Sequence, residues 1–229
     1  MYREAGSRVA GAVLWRSWTG VGAAATRILP DGCIDLIWSN RDGLFVAGPD
    51  RTAKLDEALP GVRHVGLRLP PGTGPAVLGL PAYELRDRQV PLDALWPSAL
   101  AREYAERALD GDPGPLLESI AQDRLRAAGG PDPIAGALVA HLDAGRPVAA
   151  TAAALGLGAR ALHRRSHHLF GYGAKTLARI LRMQRALALV RAGVPAAEAA
   201  ARAGYADQPH LSRDVRELAG VPLGVLVRQ

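Results

Sequence analysis

The chain reads as an α+β protein, with a β-rich first part closed by helices and an all-α part after it. Three observations predict this. All four tryptophans lie in the first hundred residues, among short apolar runs separated by Gly, Pro and Asp turn signals. From Trp96 onward the texture changes to Ala, Leu and Arg at helical spacing. At 229 residues the chain also exceeds the usual single-core size of about 100–150 residues, so two compact domains are expected.

Taken in order, residues 9–15, 33–38, 44–47 and 63–69 carry the strand signal. Leu100, Tyr104, Ala105 and Ala108 mark one helix, and Leu116, Leu117, Ile120, Ala121 and Leu125 the next. These two close the first domain. The run Gly129-Gly130-Pro131-Asp132-Pro133 breaks any helix, because proline lacks an amide donor and glycine adds backbone freedom. The expected domains are therefore residues 1–130 and 131–229. Beyond the break only helical segments follow, punctuated at Gly145, Gly156, Gly158, Gly193, Gly204 and Gly220. Residues 148–170 and 196–219 repeat one plan: an alanine-rich helix, a glycine turn, then a helix bearing Arg, His and Ser.

Charge is unevenly placed. The formal balance is 0 over residues 1–110, −1 over 111–130 and +7 over 131–229. A basic end beside a neutral one suits a polyanion partner, since lysine and arginine displace counterions from phosphate backbones. A generic solvated basic face is the plain alternative. No apolar run reaches the roughly 18 residues of a membrane span, and the N-terminus lacks the pattern of a secretory signal. The single cysteine, Cys33, cannot form an internal disulfide, so a reducing cytoplasm fits best.

The repeated plan meets the demands of a helix-turn-helix: a small residue where two helices cross, a glycine in the turn, an aliphatic anchor in the second helix. Ala152, Gly156 and Leu162 fill these roles in the first unit, and Ala200, Gly204 and Leu211 in the second. Pro195 suits the start of a helix and Asp207 an N-cap. Ala-x-x-x-Gly followed by an aliphatic residue also arises by chance in alanine-rich bundles; two tandem units on the basic segment argue for double-stranded DNA as partner. Arg164 and Arg213 suit guanine, Gln208 suits adenine, and His163, His210 and Ser212 suit other base edges. Arg165, Lys175, Arg179, Arg182 and Arg216 are expected at phosphates, which position without reading sequence.

Residues 203–213 (AGYADQPHLSR), with the later Gly220-Val221-Pro222, closely resemble the C-terminal signature of the AraC/XylS family of transcription regulators. Residues 152–165 and 174–192 are similar to that family's first helix-turn-helix and its long linker helix. The resemblance covers about the last hundred residues. It implies two recognition helices entering successive major-groove segments about 34 Å apart, with Arg160, His163 and Arg164 reading from the first and Gln208, His210, Ser212 and Arg213 from the second. RNA polymerase is a further partner it implies. Ser166 stands where the family often has a core phenylalanine, with Phe170 one turn on able to fill the space.

The run Leu29-Pro30-Asp31-Gly32-Cys33-Ile34-Asp35-Leu36-Ile37-Trp38 resembles the N-terminal domains of a subgroup of these regulators, cupin-like small barrels that sense an effector. That resemblance implies a small-molecule site, for which Trp15, Trp18, Cys33, Trp38, His64 and Trp96 are the candidates; the same tryptophans would equally serve as core. No cofactor or metal is expected, since residues 1–130 hold only His64 and no cluster of ligands. A regulator and not an enzyme is therefore expected. Two rivals stand: an alkyl-acceptor repair protein using Cys33, and a helical interaction module that does not bind DNA. The helices of residues 98–127 either dimerise or pack on the barrel, leaving monomer and homodimer both open.

Overall fold

The computed structural model describes residues 1–57 and 59–227. Strands β1 (Tyr2–Gly6), β2 (Val13–Trp18), β4 (Ile34–Ser39), β5 (Gly43–Ala47), β7 (Arg63–Leu69) and β8 (Gln89–Pro91) form one sheet in the order β1-β2-β7-β4-β5-β8, every neighbour antiparallel. Strands β3 (Thr26–Ile28) and β6 (Lys54–Asp56) form a separate two-stranded ribbon. The β-rich domain thus divides between a six-stranded sheet and a ribbon, and among the described residues β1 and β8 are the sheet's edges.

Register explains which residues form the core. Leu67 of β7 lies opposite Leu14 on one side and Leu36 on the other, and Leu36 lies opposite Val46, so these side chains share a face. Helices α1 (Gly74–Leu78), α2 (Ser98–Leu109) and α3 (Pro113–Ala127) contribute to the same core, where Leu117 and Ile120 of α3 are wholly buried. Each such side chain stabilises the fold by about 2 kcal/mol through removal of apolar area from water. Helix α3 starts where Asp112 accepts from the Gly114 N–H at 3.0 Å, with proline in the first turn. Glu118 on α3 accepts from Ser7 Oγ, the Arg8 N–H and Arg8 Nε, each at 2.7 Å, tying the turn between β1 and β2 to the helix. Helices α2 and α3 thus pack on the sheet.

Gly129 and Gly130, both at positive φ, separate α3 from the helical module. There follow α4 (Pro133–Asp143), α5 (Val148–Ala154), α6 (Ala159–Phe170), α7 (Ala174–Arg191), α8 (Ala196–Arg202), α9 (Gln208–Ala219) and α10 (Leu223–Leu226). Their core centres on α7, whose Leu177, Ile180, Met183, Ala186 and Leu187 are all inaccessible. The apolar positions recur at intervals of three and four, which turns one continuous stripe toward the helices on either side. The two modules meet closely: a Cβ at Gly72 would lie 2.7 Å from Ala135 Cβ and 3.0 Å from the Phe170 ring.

Candidate nucleic-acid interface

The two helix pairs share their turn geometry to the hydrogen bond. After α5, the Gly156 N–H donates to Ala153 O at 3.1 Å and the Leu157 N–H to Ala152 O at 2.9 Å. After α8, the Gly204 N–H donates to Ala201 O at 3.1 Å and the Tyr205 N–H to Ala200 O at 2.9 Å. Gly156 (φ 64°) and Gly204 (φ 83°) take the left-handed conformation that ends a helix this way. Ala152 and Ala200 are buried at the two crossings, and Leu162 and Leu211 anchor the second helices in the common core. Asp207 caps α9 by accepting from the His210 N–H at 2.6 Å, while Pro209 occupies the first turn, where its missing amide costs nothing. α6 has Gly158 at its N-cap and no side-chain cap.

Each second helix presents a polar face. On α6, Arg160, His163, Arg164 and His168 are exposed along one side. The His163 and His167 rings lie 4.3 Å apart, and burial, together with the charges of His163 and Arg86, pushes the His167 imidazole below its ordinary range. On α9, Gln208 and Arg213 are exposed, while His210 and Ser212 are half-buried. His210 stands edge-on to the Tyr205 ring at 5.1 Å, which fixes the orientation of its imidazole.

Three of the five arginines and lysines expected at phosphates are engaged in ion pairs within the fold. Arg165 pairs with Asp132, the N-cap of α4, at 2.6 Å. Arg179 bonds Asp214 and Glu217, and Arg182 reaches Asp214 at 3.4 Å while lying 4.2 Å over the Tyr205 ring. Arg165 thus ties α6 to the start of α4, and Arg179 and Arg182 tie α7 to α9, each remaining partly exposed. Lys175 and Arg216 are exposed and in no ion pair among the described residues. The buried centre of the network is Asp214, 5% exposed, which also accepts from the Tyr205 hydroxyl at 2.8 Å. Burial and the neighbouring Asp214 both push the Tyr205 phenol well above its ordinary range. Nothing in the sequence flagged Asp214: it stands between Arg213 and Val215 in a polar run, and its partners lie about thirty residues upstream on α7.

In the first unit Ser166 is wholly buried and its hydroxyl has no hydrogen-bond partner, while Phe170 sits in the core beside it. Phe170 thus supplies the aromatic that Ser166 does not. Thr151 on α5 is likewise buried with an unpartnered hydroxyl.

Residues 151–229 match the helix-turn-helix domain family, and residues 12–91 match a family described as a domain of unknown function (DUF6597). No curated protein matches the chain in sequence. Among solved structures, an apo form of ToxT from Vibrio cholerae is 10% identical, covers 97% of this chain and 99% of its own, and has a TM-score of 0.52. ToxT bound to (E)-4-(8-methylnaphthalen-1-yl)but-3-enoic acid is also 10% identical, with 98% and 99% covered and a TM-score of 0.50. A probable AraC family transcriptional regulator from Rhodopseudomonas palustris is 22% identical over 40% of this chain and 92% of its own, with a TM-score of 0.35. The ToxT likeness extends over both modules, so the order of a sheet module followed by a helical one is shared. Residues 151–229 thus form a helix-turn-helix domain, and the chain shares its overall fold with ToxT.

The six residues expected at a small-molecule site do not share one place. Trp18, Trp38 and His64 line a groove of about 500 Å³ at one end of the sheet, together with Arg3, Arg16 and Arg63. Trp18 is 54% exposed at its rim and Trp38 nearly buried beneath. Trp96 is structural: it is buried, its indole N–H donates to Leu78 O at 2.9 Å, and Arg124 lies 4.9 Å over its ring. Trp15 packs on Gly66, where a Cβ would come within 2.2 Å of the ring, and donates to Asp35 Oδ1 at 2.5 Å. Cys33 lies near Asp31, Asp35 and Arg68; burial, then the two carboxylates, pushes its thiol well up. Among the described residues no three His, Cys, Asp or Glu side chains gather as metal ligands, and no helix is long and apolar enough to cross a membrane.

Proposed function

We propose that this chain is a transcriptional regulator of the AraC type that reads duplex DNA through the exposed faces of α6 and α9, and that a small molecule in the sheet module modulates it. The observation that carries the first half is the pair of identically hydrogen-bonded turns, each followed by a second helix with an exposed arginine, Arg164 or Arg213, on the segment that holds the positive excess. In this reading Arg160, His163 and Arg164 face bases from α6, and Gln208, His210, Ser212 and Arg213 from α9. Lys175 and Arg216 contact phosphates. Arg165, Arg179 and Arg182 serve the fold.

The effector site is the groove beside Trp18 and Trp38. Aromatic walls with Arg3 and Arg63 on the rim suit an anion with an apolar body, while Arg16 beside them is paired with Asp112 at 2.7 Å. ToxT, which shares the fold, has been solved with a butenoic acid bound. Anisotropy of the full chain on duplex DNA at two salt concentrations tests the first half: affinity must fall steeply with salt. Absent or salt-indifferent binding refutes it. Quenching of tryptophan fluorescence by 1-naphthoate, but not by uncharged 1-naphthamide, and its loss in Arg63→Gln, tests the second. Equal quenching by both compounds refutes the anion preference.

A further inference from the structure

Both recognition helices end on groups supplied by the sheet module. α6 terminates at Gly171, whose carbonyl accepts from Arg86 Nη1 at 3.0 Å. α9 terminates at Gly220; the Leu218 carbonyl accepts from the Ala53 N–H at 2.7 Å, and the Ala219 carbonyl from Arg27 Nη1 at 3.0 Å. Arg27 stands in β3 and Ala53 immediately before β6, so the ribbon holds one reader, while the segment between α1 and β8 holds the other. Midway between them, Gln184 on α7 donates to Pro30 O at 2.7 Å.

The last carbonyls of a helix have no partner within it, and they carry the negative end of its dipole. A guanidinium answers both needs at once. The fit is tight: a Cβ on Gly171 would lie 2.9 Å from Pro49 and 3.2 Å from the Ala82 carbonyl, and one on Gly32 3.0 Å from Leu177. The N-terminal reaches of the readers stay free, with Arg160, Arg164, Gln208 and Arg213 all exposed.

We propose that Arg27 and Arg86 are positioning residues that set the separation and tilt of the two recognition helices, and so the half-site spacing the regulator accepts. They touch no DNA; they act through the ends of α9 and α6. The inference rests on the DNA-reading proposal above. One inserted base pair displaces a half-site by about 3.4 Å and rotates it by about 34°. A clamped pair of readers tolerates that poorly, whereas a pair joined only through α7 adjusts.

The test uses the full chain and a duplex site that the wild type selects from a randomised pool. With one base pair inserted between the half-sites, wild-type affinity is expected to fall tenfold or more. In Arg27→Gln with Arg86→Gln the fall should shrink to threefold or less, and Arg27→Lys with Arg86→Lys should restore most of it, since lysine keeps a cation at each helix end. An unchanged insertion penalty in the glutamine variant overturns the proposal. A second measurement needs no DNA. Spin labels at Arg160→Cys and Arg213→Cys, in a Cys33→Ala background, should give a narrow distance distribution that broadens in either single glutamine variant. Each single variant leaves one strut in place, so the readout does not depend on how the double variant folds. An unbroadened distribution overturns the strut role alone; a wild type that selects no duplex overturns the DNA reading, and the half-site claim with it.

Discussion

Replacing Asp214 with asparagine should destabilise the helical module by about 2–3 kcal/mol while leaving its shape intact. The carboxylate is 5% exposed and holds three donors: the Tyr205 hydroxyl at 2.8 Å, Arg179 Nε, and Arg182 Nη2 at 3.4 Å. A hydrogen bond to a charged acceptor contributes about 1.5–3 kcal/mol, and removing one member of a fully buried pair costs about 3–5 kcal/mol. Arg179 and Arg182 are 35% and 28% exposed, so water screens part of what they lose, which brings the expected value below that range. Urea unfolding followed by circular dichroism measures it, with the m-value unchanged if only stability has shifted. Arg179→Met combined with Asp214→Asn should cost less than the two singles added, because each single leaves the other member of the pair uncompensated and the double leaves neither. A loss under about 0.5 kcal/mol for Asp214→Asn, or strict additivity in the cycle, would refute the view that Asp214 ties α9 to α7.

Other outcomes follow from single features. Arg213→Ala should lose about 1–3 kcal/mol of discrimination between the selected duplex and a scrambled one, whereas Lys175→Ala should weaken both alike; equal losses on both duplexes for Arg213→Ala would show that it does not read bases. Ser166→Ala removes a buried hydroxyl that has no partner and should stabilise the protein by about 1 kcal/mol in thermal unfolding, and a destabilisation would mean the hydroxyl is bonded after all. Burial raises the Asp35 carboxyl to about 6, against the opposing Arg68 charge. Its neutral form is therefore the one the fold prefers, and that contribution is complete below about pH 4 and lost as pH rises through about 6. The stability of wild type relative to Asp35→Asn should fall by an amount on the order of 2 kcal/mol between pH 4 and pH 7, and a flat difference would show that Asp35 ionises freely.

Much of the fold was legible because its signals are local. The strand runs at residues 33–38, 44–47 and 63–69 each carry enough β-branched and aromatic residues between turn signals to declare themselves, and all three became central strands. Strands β1, β3, β6 and β8 were not legible: they are three to five residues long and largely exposed, and pairing with a neighbour, not composition, makes them strands. The helix pairs were visible through Ala152, Gly156, Ala200 and Gly204, since a close crossing and a left-handed turn admit few other residue types. Ser166 and Phe170 were legible as an exchange along one helix face, four residues apart.

By itself, the amino-acid sequence determined that a sheet module precedes two helix-turn-helix units, where positive charge gathers, and which side chains on α9 could meet a base. These follow from periodicity, from glycine's conformational range and from counting charges, all of which act over a few residues. The tertiary structure alone decided which basic side chains are free. Arg165, Arg179 and Arg182 look the same in sequence as Lys175 and Arg216, yet folding brings Asp132 and Asp214 within reach of the first three. It also decided that Trp18 and Trp38 share a groove while Trp96 does not, and that arginines from the sheet module close the ends of both readers. The partners in these pairs stand about 20 to 190 residues apart, and only the packing of complete elements brings such groups together.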